Sequence, residues 1–175
     1  MSPEAKLPTR EDALTLLAEQ RAEVDDLLSA LSPRDRTRPG LGGGEWSPKD
    51  LVSHLAAWER FALDAVAAWD RGERAPIDRE LWSRSTSAIN ADSVAAAADL
   101  SWAQAIRRAR ATHVELVELI GSMSDARWRT PATPRARSPL GMRIGQLLAG
   151  SKGPFAHDLA HVKDLRAFVA QRSGR

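Results

Sequence analysis

Two histidines four residues apart, His157 and His161, fall in a stretch whose apolar residues repeat at helical spacing. Side chains at i and i+4 project from one helical face, so the two imidazoles can share a metal ion. A third histidine, His54, lies between Leu51, Leu55 and Trp58 in a second helical stretch, on the face that turns inward. Neutral imidazole suits zinc, nickel, copper or iron, and three nitrogen donors leave coordination positions open for water or substrate. Cysteine is absent, which removes thiolate ligands, disulfides and a cysteine nucleophile. The competing reading is a packed core: a histidine on an apolar face is usually a hydrogen-bonded core residue, and i, i+4 pairs recur by chance. Spacing also leaves open whether the two stretches touch.

The fourth histidine, His113, lies in line with Ala109, Leu116 and Ile120 on an inner stripe. It suits a general base, a residue that orients a ligand, or a fourth ligand, against a simply packed imidazole. Glu59 and Asp158 neighbour the candidate ligands but lie about 100° around their helices from the ligating face, which makes them weaker candidates. Of the six tryptophans, Trp58 is the one placed to line a pocket, one turn after His54 on the same face.

The elements that must position these residues are helices, because valine and isoleucine nowhere alternate with polar residues over a useful length. A first helix runs from about Thr9, with Asp12 at its third position, through Leu14, Leu17, Val24 and Leu28 to Ser32-Pro33. The glycine-rich run from Pro39 to Gly44 reads as a connector, lacking the lysine and spacing of a phosphate-binding loop. The second helix starts at Ser47-Pro48-Lys49-Asp50, with a cap, a proline at the first position, an acid facing the amide dipoles, and Trp46 able to staple onto Leu51. Residues 73–100 read as a partly helical insertion. Ser101 and Gln104 form a capping box for a third helix ending near Gly121. A last apolar stretch begins near Gly141 and carries Ile144, Leu148, Leu159, Val162, Leu165 and Phe168, kinked or broken around Gly150, Gly153 and Pro154. The expected fold is all-α, one domain over residues 1–175 with its core at about 7–170.

At 175 residues and 43% hydrophobic content, the chain can bury a core without staples. Its 25 basic and 23 acidic residues are intermixed, so nucleic acid is not expected as a partner. The arginines 127, 129, 135, 137 and 143 are read as lying on an exposed connector. Residues 1–6 lack the pattern of a signal peptide and no apolar run approaches membrane length, so a cytoplasmic protein is expected, with no membrane partner. A homodimer is left open.

The run Trp46-Ser47-Pro48-Lys49-Asp50-Leu51-Val52-Ser53-His54-Leu55-Ala56-Ala57-Trp58-Glu59 resembles the second-helix motif of DinB-like proteins. His157-Asp158-Leu159-Ala160-His161 resembles their terminal HxxxH, and both occur in the expected order. The stretch from Asn90-Ala91 through Asp99-Leu100-Ser101-Trp102 to Thr112-His113 and Leu116-Val117-Glu118-Leu119-Ile120 is similar to the ClbS/DfsB-like branch. The resemblance implies a DinB-like four-helix bundle with the insertion between helices two and three. It also implies a divalent transition metal, zinc, nickel or iron, held by His54, His157 and His161. Trp58 and Asn90 are then candidates for the substrate pocket and His113 for a catalytic or ligand-orienting role. Relatives in this family include self-resistance hydrolases that open reactive rings, metal-dependent isomerases, and transferases that use a low-molecular-weight thiol such as mycothiol. The leading expectation is therefore a metal-dependent hydrolase of a small electrophile, in self-resistance or detoxification. A thiol S-transferase and a non-catalytic binding or sequestering protein are the alternatives.

Overall fold

A computed structural model describes residues 7–173; residues 1–6, read above for the lack of a leader, lie outside this range. Its α-helices are α1 (Arg10–Ser29), α2 (Pro48–Asp70), α3 (Pro76–Ser83), α4 (Thr86–Ala95), α5 (Trp102–Ser122), α6 (Asp125–Arg129), α7 (Leu140–Leu147) and α8 (His157–Ser173). Three long helices start at reciprocal caps. The Thr9, Ser47 and Ser101 hydroxyls accept from the amides of Asp12, Asp50 and Gln104, whose side chains accept back from the cap amides.

The bundle is made by α1, α2, α5 and α8, with the broadest pairings between α2 and α5 and between α1 and α8. Its apolar core falls into two clusters. One gathers Leu17, Trp58, Ala62, Leu116, Ile120 and Phe155; the other gathers Val24, Leu28, Leu51, Leu55, Ala109, Val162 and Leu165. The first takes the start of α1 and Phe155 just before α8 but the end of α2 and α5, while the second takes the body of α8, so α1 and α8 run one way and α2 and α5 the other. Two consecutive bundle helices that run parallel need a long crossover. The insertion supplies it: α3 and α4 return the chain from the end of α2 to the level of its start.

The insertion is partly helical as expected: α4 starts where Ser85 accepts from the Ala88 amide at 3.2 Å and runs on to Ala95. One expectation is corrected: the arginine-rich connector contains α6, whose Trp128 is 1% exposed in the core and donates to the Pro8 carbonyl at 2.9 Å. Arg127 is anchored there by Asp70, at 2.6 Å.

The last element, expected to be kinked or broken around Gly150 to Pro154, is broken there, and α8 begins at His157 itself. Phe155 takes a left-handed φ of 59° and donates its amide to the Gly145 carbonyl at 3.1 Å, while the His157 amide donates to the Leu148 carbonyl at 3.0 Å. A Cβ on Gly145 would lie 2.5 Å from the Phe155 ring, and one on Gly150 only 2.1 Å from the Ala156 carbonyl oxygen. Glycine at these two places lets α7 and the start of α8 close on each other.

Candidate metal centre

Between the two apolar clusters lies a polar layer to which every bundle helix contributes: Gln20 and Arg21 from α1, His54 and Glu59 from α2, Thr112 and His113 from α5, His157, Asp158 and His161 from α8. Hydrogen-bonding groups at this depth need partners.

The three histidines converge. His54, 1% exposed, comes from the interior of α2, while His157 and His161 share one face of the first turns of α8. The Nε2 atoms of His54 and His157 are 3.0 Å apart, and one nitrogen from each of the three rings lies within 4.8 Å of the others. Trp46 packs against His54 at 5.0 Å between ring centroids, and Trp58 against His157 at 5.9 Å. Burial, aided by the neighbouring imidazoles, drives the pKa of His54 down to about 2. Burial, with His161 and Arg21 beside it, takes His157 to about 3. Burial also lowers His161, partly offset by Asp158 and Asp164. All three are therefore neutral near pH 7, the state that ligates metal.

The donor set fits a divalent ion. Two nitrogens each about 2.0–2.1 Å from a shared ion can be at most about 4.2 Å apart. The His54–His157 pair meets that limit as it stands, and both rings turn Nε2 toward each other with Nδ1 buried on the far side. No carboxylate belongs to the cluster, which leaves three nitrogens and open positions.

Behind the histidines, Arg21 ties two helices together. Its Nη2 donates to Glu59 Oε1 at 2.9 Å and its Nε to Asp158 Oδ2 at 2.8 Å, with all three side chains buried. Burial alone would lower the Arg21 pKa, but Asp158 and Glu59 more than offset it and hold it above its ordinary value. His113 Nδ1 lies 2.7 Å from Glu59 Oε1; since a carboxylate accepts, Nδ1 carries the proton. His113 thus bonds to Glu59 rather than to a histidine of the triad. One guanidinium facing two carboxylates leaves the layer receptive to a further cation.

Arg21 and Gln20 are not singled out by the sequence, although both interrupt the apolar stripe between Leu17 and Val24. Gln20 clamps the start of α8: its Nε2 donates to the Phe155 carbonyl at 3.0 Å and its Oε1 accepts from the Leu159 amide at 3.1 Å. That amide is one of the first-turn donors that have no partner inside a helix.

Trp58 and Asn90 are also brought together, the indole Nε1 donating to Asn90 Oδ1 at 2.9 Å. The bond links α4 to the wall beside His157. The cavity that touches the histidine layer is small, about 10 Å³. A groove of about 660 Å³ lies elsewhere, lined by Trp69, Trp82, Arg135 and Arg143. Trp69 is fifteen positions beyond His54 on α2, about 22 Å at 1.5 Å per residue.

The family model described as the DinB superfamily matches residues 16–150. The chain belongs to the DinB superfamily. The matched stretch contains His54 and His113 but stops short of His157 and His161, so the complete triad rests on the geometry above. Two solved structures show the DinB-like fold. An uncharacterised protein from Escherichia coli UTI89 superposes with a TM-score of 0.78 at 16% identity, over 95% of this chain and 96% of that one. The colibactin self-resistance protein ClbS, in complex with a dsDNA, superposes with a TM-score of 0.66 at 14% identity, over 97% of this chain and 96% of that one. No curated protein matches the sequence.

The ClbS complex overturns one expectation, that nucleic acid is not to be looked for as a partner. Whole-chain charge was the wrong quantity, because phosphates respond to local arrays of cations. Residues 125–143 hold five arginines and one aspartate. Arg129, Arg135 and Arg137 are exposed and have no partner among the described residues. No helix among those residues is long and apolar enough to cross a membrane.

Proposed function

We propose that this DinB-superfamily protein binds a divalent transition metal through His54, His157 and His161 and uses it to inactivate a reactive small molecule. The single observation that carries this reading is the neutral triad of buried His54 with half-buried His157 and His161, two of whose Nε2 atoms lie 3.0 Å apart on helices 103 positions apart in the sequence. A divalent ion there would supply Lewis acidity, for a water in hydrolysis or for a low-molecular-weight thiol in transfer. The chain's own groups hold the geometry: Arg21 fixes Glu59 and Asp158, Gln20 fixes the first turn of α8, and the Trp58–Asn90 pair walls the His157 side. Similarity in fold to ClbS supports placing the role in self-protection or detoxification. Hydrolysis is the leading chemistry, with thiol transfer as its alternative.

Metal analysis of the purified protein, followed by incubation with strained-ring electrophiles with and without added thiol, tests this. Stoichiometric metal and thiol-independent consumption are expected. Strict thiol dependence would replace hydrolysis with transfer; bound electrophile without turnover would make the protein a sequestering one.

A second reading is favoured by the exposed arginines: association with double-stranded DNA through Arg129, Arg135 and Arg137. Anisotropy with a labelled duplex should show binding that weakens as salt rises, with a shallower slope in the triple alanine variant. An unchanged slope removes these arginines from the contact.

A further inference from the structure

Three buried polar atoms in the layer have no partner, His54 Nδ1, His157 Nδ1 and Glu59 Oε2, and two of their residues, His157 and Glu59, line one small cavity. Glu59 places Oε1 against Arg21 and His113, yet its other oxygen, Oε2, is buried and unbonded. His157 turns Nε2 toward His54, and its Nδ1 is likewise buried and unbonded. Both residues line the cavity of about 10 Å³, together with Leu17, Gln20, Leu148, Phe155 and Asp158. That is about the room one water needs, and a buried water persists where it meets two or more polar partners.

We propose that one buried water joins His157 Nδ1 to Glu59 Oε2 and makes Glu59 the positioning residue for the ligand His157. A carboxylate oxygen only accepts, so the water donates to Glu59; its oxygen in turn accepts from an Nδ1–H of His157, the tautomer that leaves Nε2 free to ligate. His157 is thereby held as the Nδ1–H tautomer, with its Nε2 lone pair directed at the other histidines. Metal-ligating histidines generally need such a partner on the second nitrogen. The bridge runs on through Glu59 to Arg21 and His113, so one carboxylate sets the orientation of groups from α1, α5 and α8.

A consequence arises without metal. With His157 Nε2 accepting, the 3.0 Å contact requires His54 Nε2 to donate. His54 and His157 then hold opposite tautomers in the metal-free protein, and His54 changes tautomer when metal binds.

The bridge itself does not depend on metal, while its effect on affinity rests on the function proposed above. The test is ring-nitrogen NMR of metal-free full-length protein, wild type and Glu59→Gln, with zinc titration of each. The substituted amide keeps an oxygen for Arg21 and His113 but turns an N–H donor toward the cavity, so the water loses its acceptor. The wild type should show His157 as Nδ1–H and His54 as Nε2–H. Glu59→Gln should shift His157 toward Nε2–H, leave the His161 signals in place, keep its circular dichroism, and bind zinc about 10–100-fold more weakly. Wild-type His157 found as Nε2–H, or a tautomer unmoved in Glu59→Gln, overturns the bridge. Should zinc fail to bind the wild type at all, the metal reading falls while the tautomer measurement still decides the bridge. An unfolded Glu59→Gln leaves the decision to the wild-type tautomers alone.

Discussion

Gln20 accepts the Leu159 backbone amide at 3.1 Å, so a side chain from the first helix caps the last one three residues after the chain breaks. The same side-chain amide donates to the Phe155 carbonyl on the other side of that break, at 3.0 Å. The position of His157 is therefore set from α1 as much as from its own helix.

Replacing Gln20 by leucine keeps the volume but strands the Leu159 amide and the Phe155 carbonyl. Stability should fall by about 1–3 kcal/mol, the usual cost of a buried group left unpaired. Urea unfolding of the metal-free protein reads this directly. Metal affinity should fall as well, and a variant that unfolds at the wild-type urea concentration would show that the clamp contributes nothing.

Each of His54→Ala, His157→Ala and His161→Ala should lose the metal while keeping helical content, since the apolar clusters do not use the imidazoles. His113→Ala should retain it, because His113 meets Glu59 and not the triad. Metal content by mass spectrometry checks all four. Retention in the first three, or loss in the fourth, would reassign the ligands.

Arg21→Met should be among the most destabilising substitutions in the protein. It leaves Glu59 and Asp158 buried without their shared cation, and removing one partner of a buried pair costs about 3–5 kcal/mol. The double variant Arg21→Met with Glu59→Leu should recover part of the loss. A single variant within about 0.5 kcal/mol of wild type, the range of ordinary surface changes, would mean that water already reaches the network.

Acid should destabilise the metal-free protein. His54 and His157 have folded pKa values of about 2 and about 3, below an unfolded value of about 6.5. Beneath 6.5 the unfolded chain binds protons that the folded one refuses. The stabilisation is fully present above that pH and is lost as pH falls toward the folded values. Each histidine held neutral costs about 1.4 kcal/mol per pH unit in that window. Urea midpoints of chelator-treated protein at pH 7.5, 6 and 5 should decline steeply below 6; a flat profile would show that the imidazoles charge freely. Metal binding opposes the effect, so the gap between loaded and metal-free protein should narrow in acid.

The capped starts at Thr9, Ser47 and Ser101 are legible in the sequence because each cap is a local motif of three or four residues. The His157/His161 pair is legible for the same reason, and His54 through the apolar residues around it. The break before α8 is only half legible. Apolar spacing continues from Ile144 to Phe168, and what stops the helix is tertiary: the Phe155 ring against Gly145 and the Ala156 carbonyl against Gly150. Arg21 escapes notice because a charged residue in an apolar stripe carries no sign of the two acids waiting on other helices. Trp128 hides among arginines whose charge suggests solvent, although its indole is core.

A polar layer that splits the apolar core predicts two cooperative units, one at each end of the bundle, joined by the helices that run through both. Such units can open separately, and native-state hydrogen exchange resolves them as groups of amides with distinct opening energies. An ion shared by α2 and α8 would sit on the seam and bind only when both ends are closed. Metal loading should then slow exchange at Leu28 in one cluster and at Leu116 in the other by similar factors, turning two units into one.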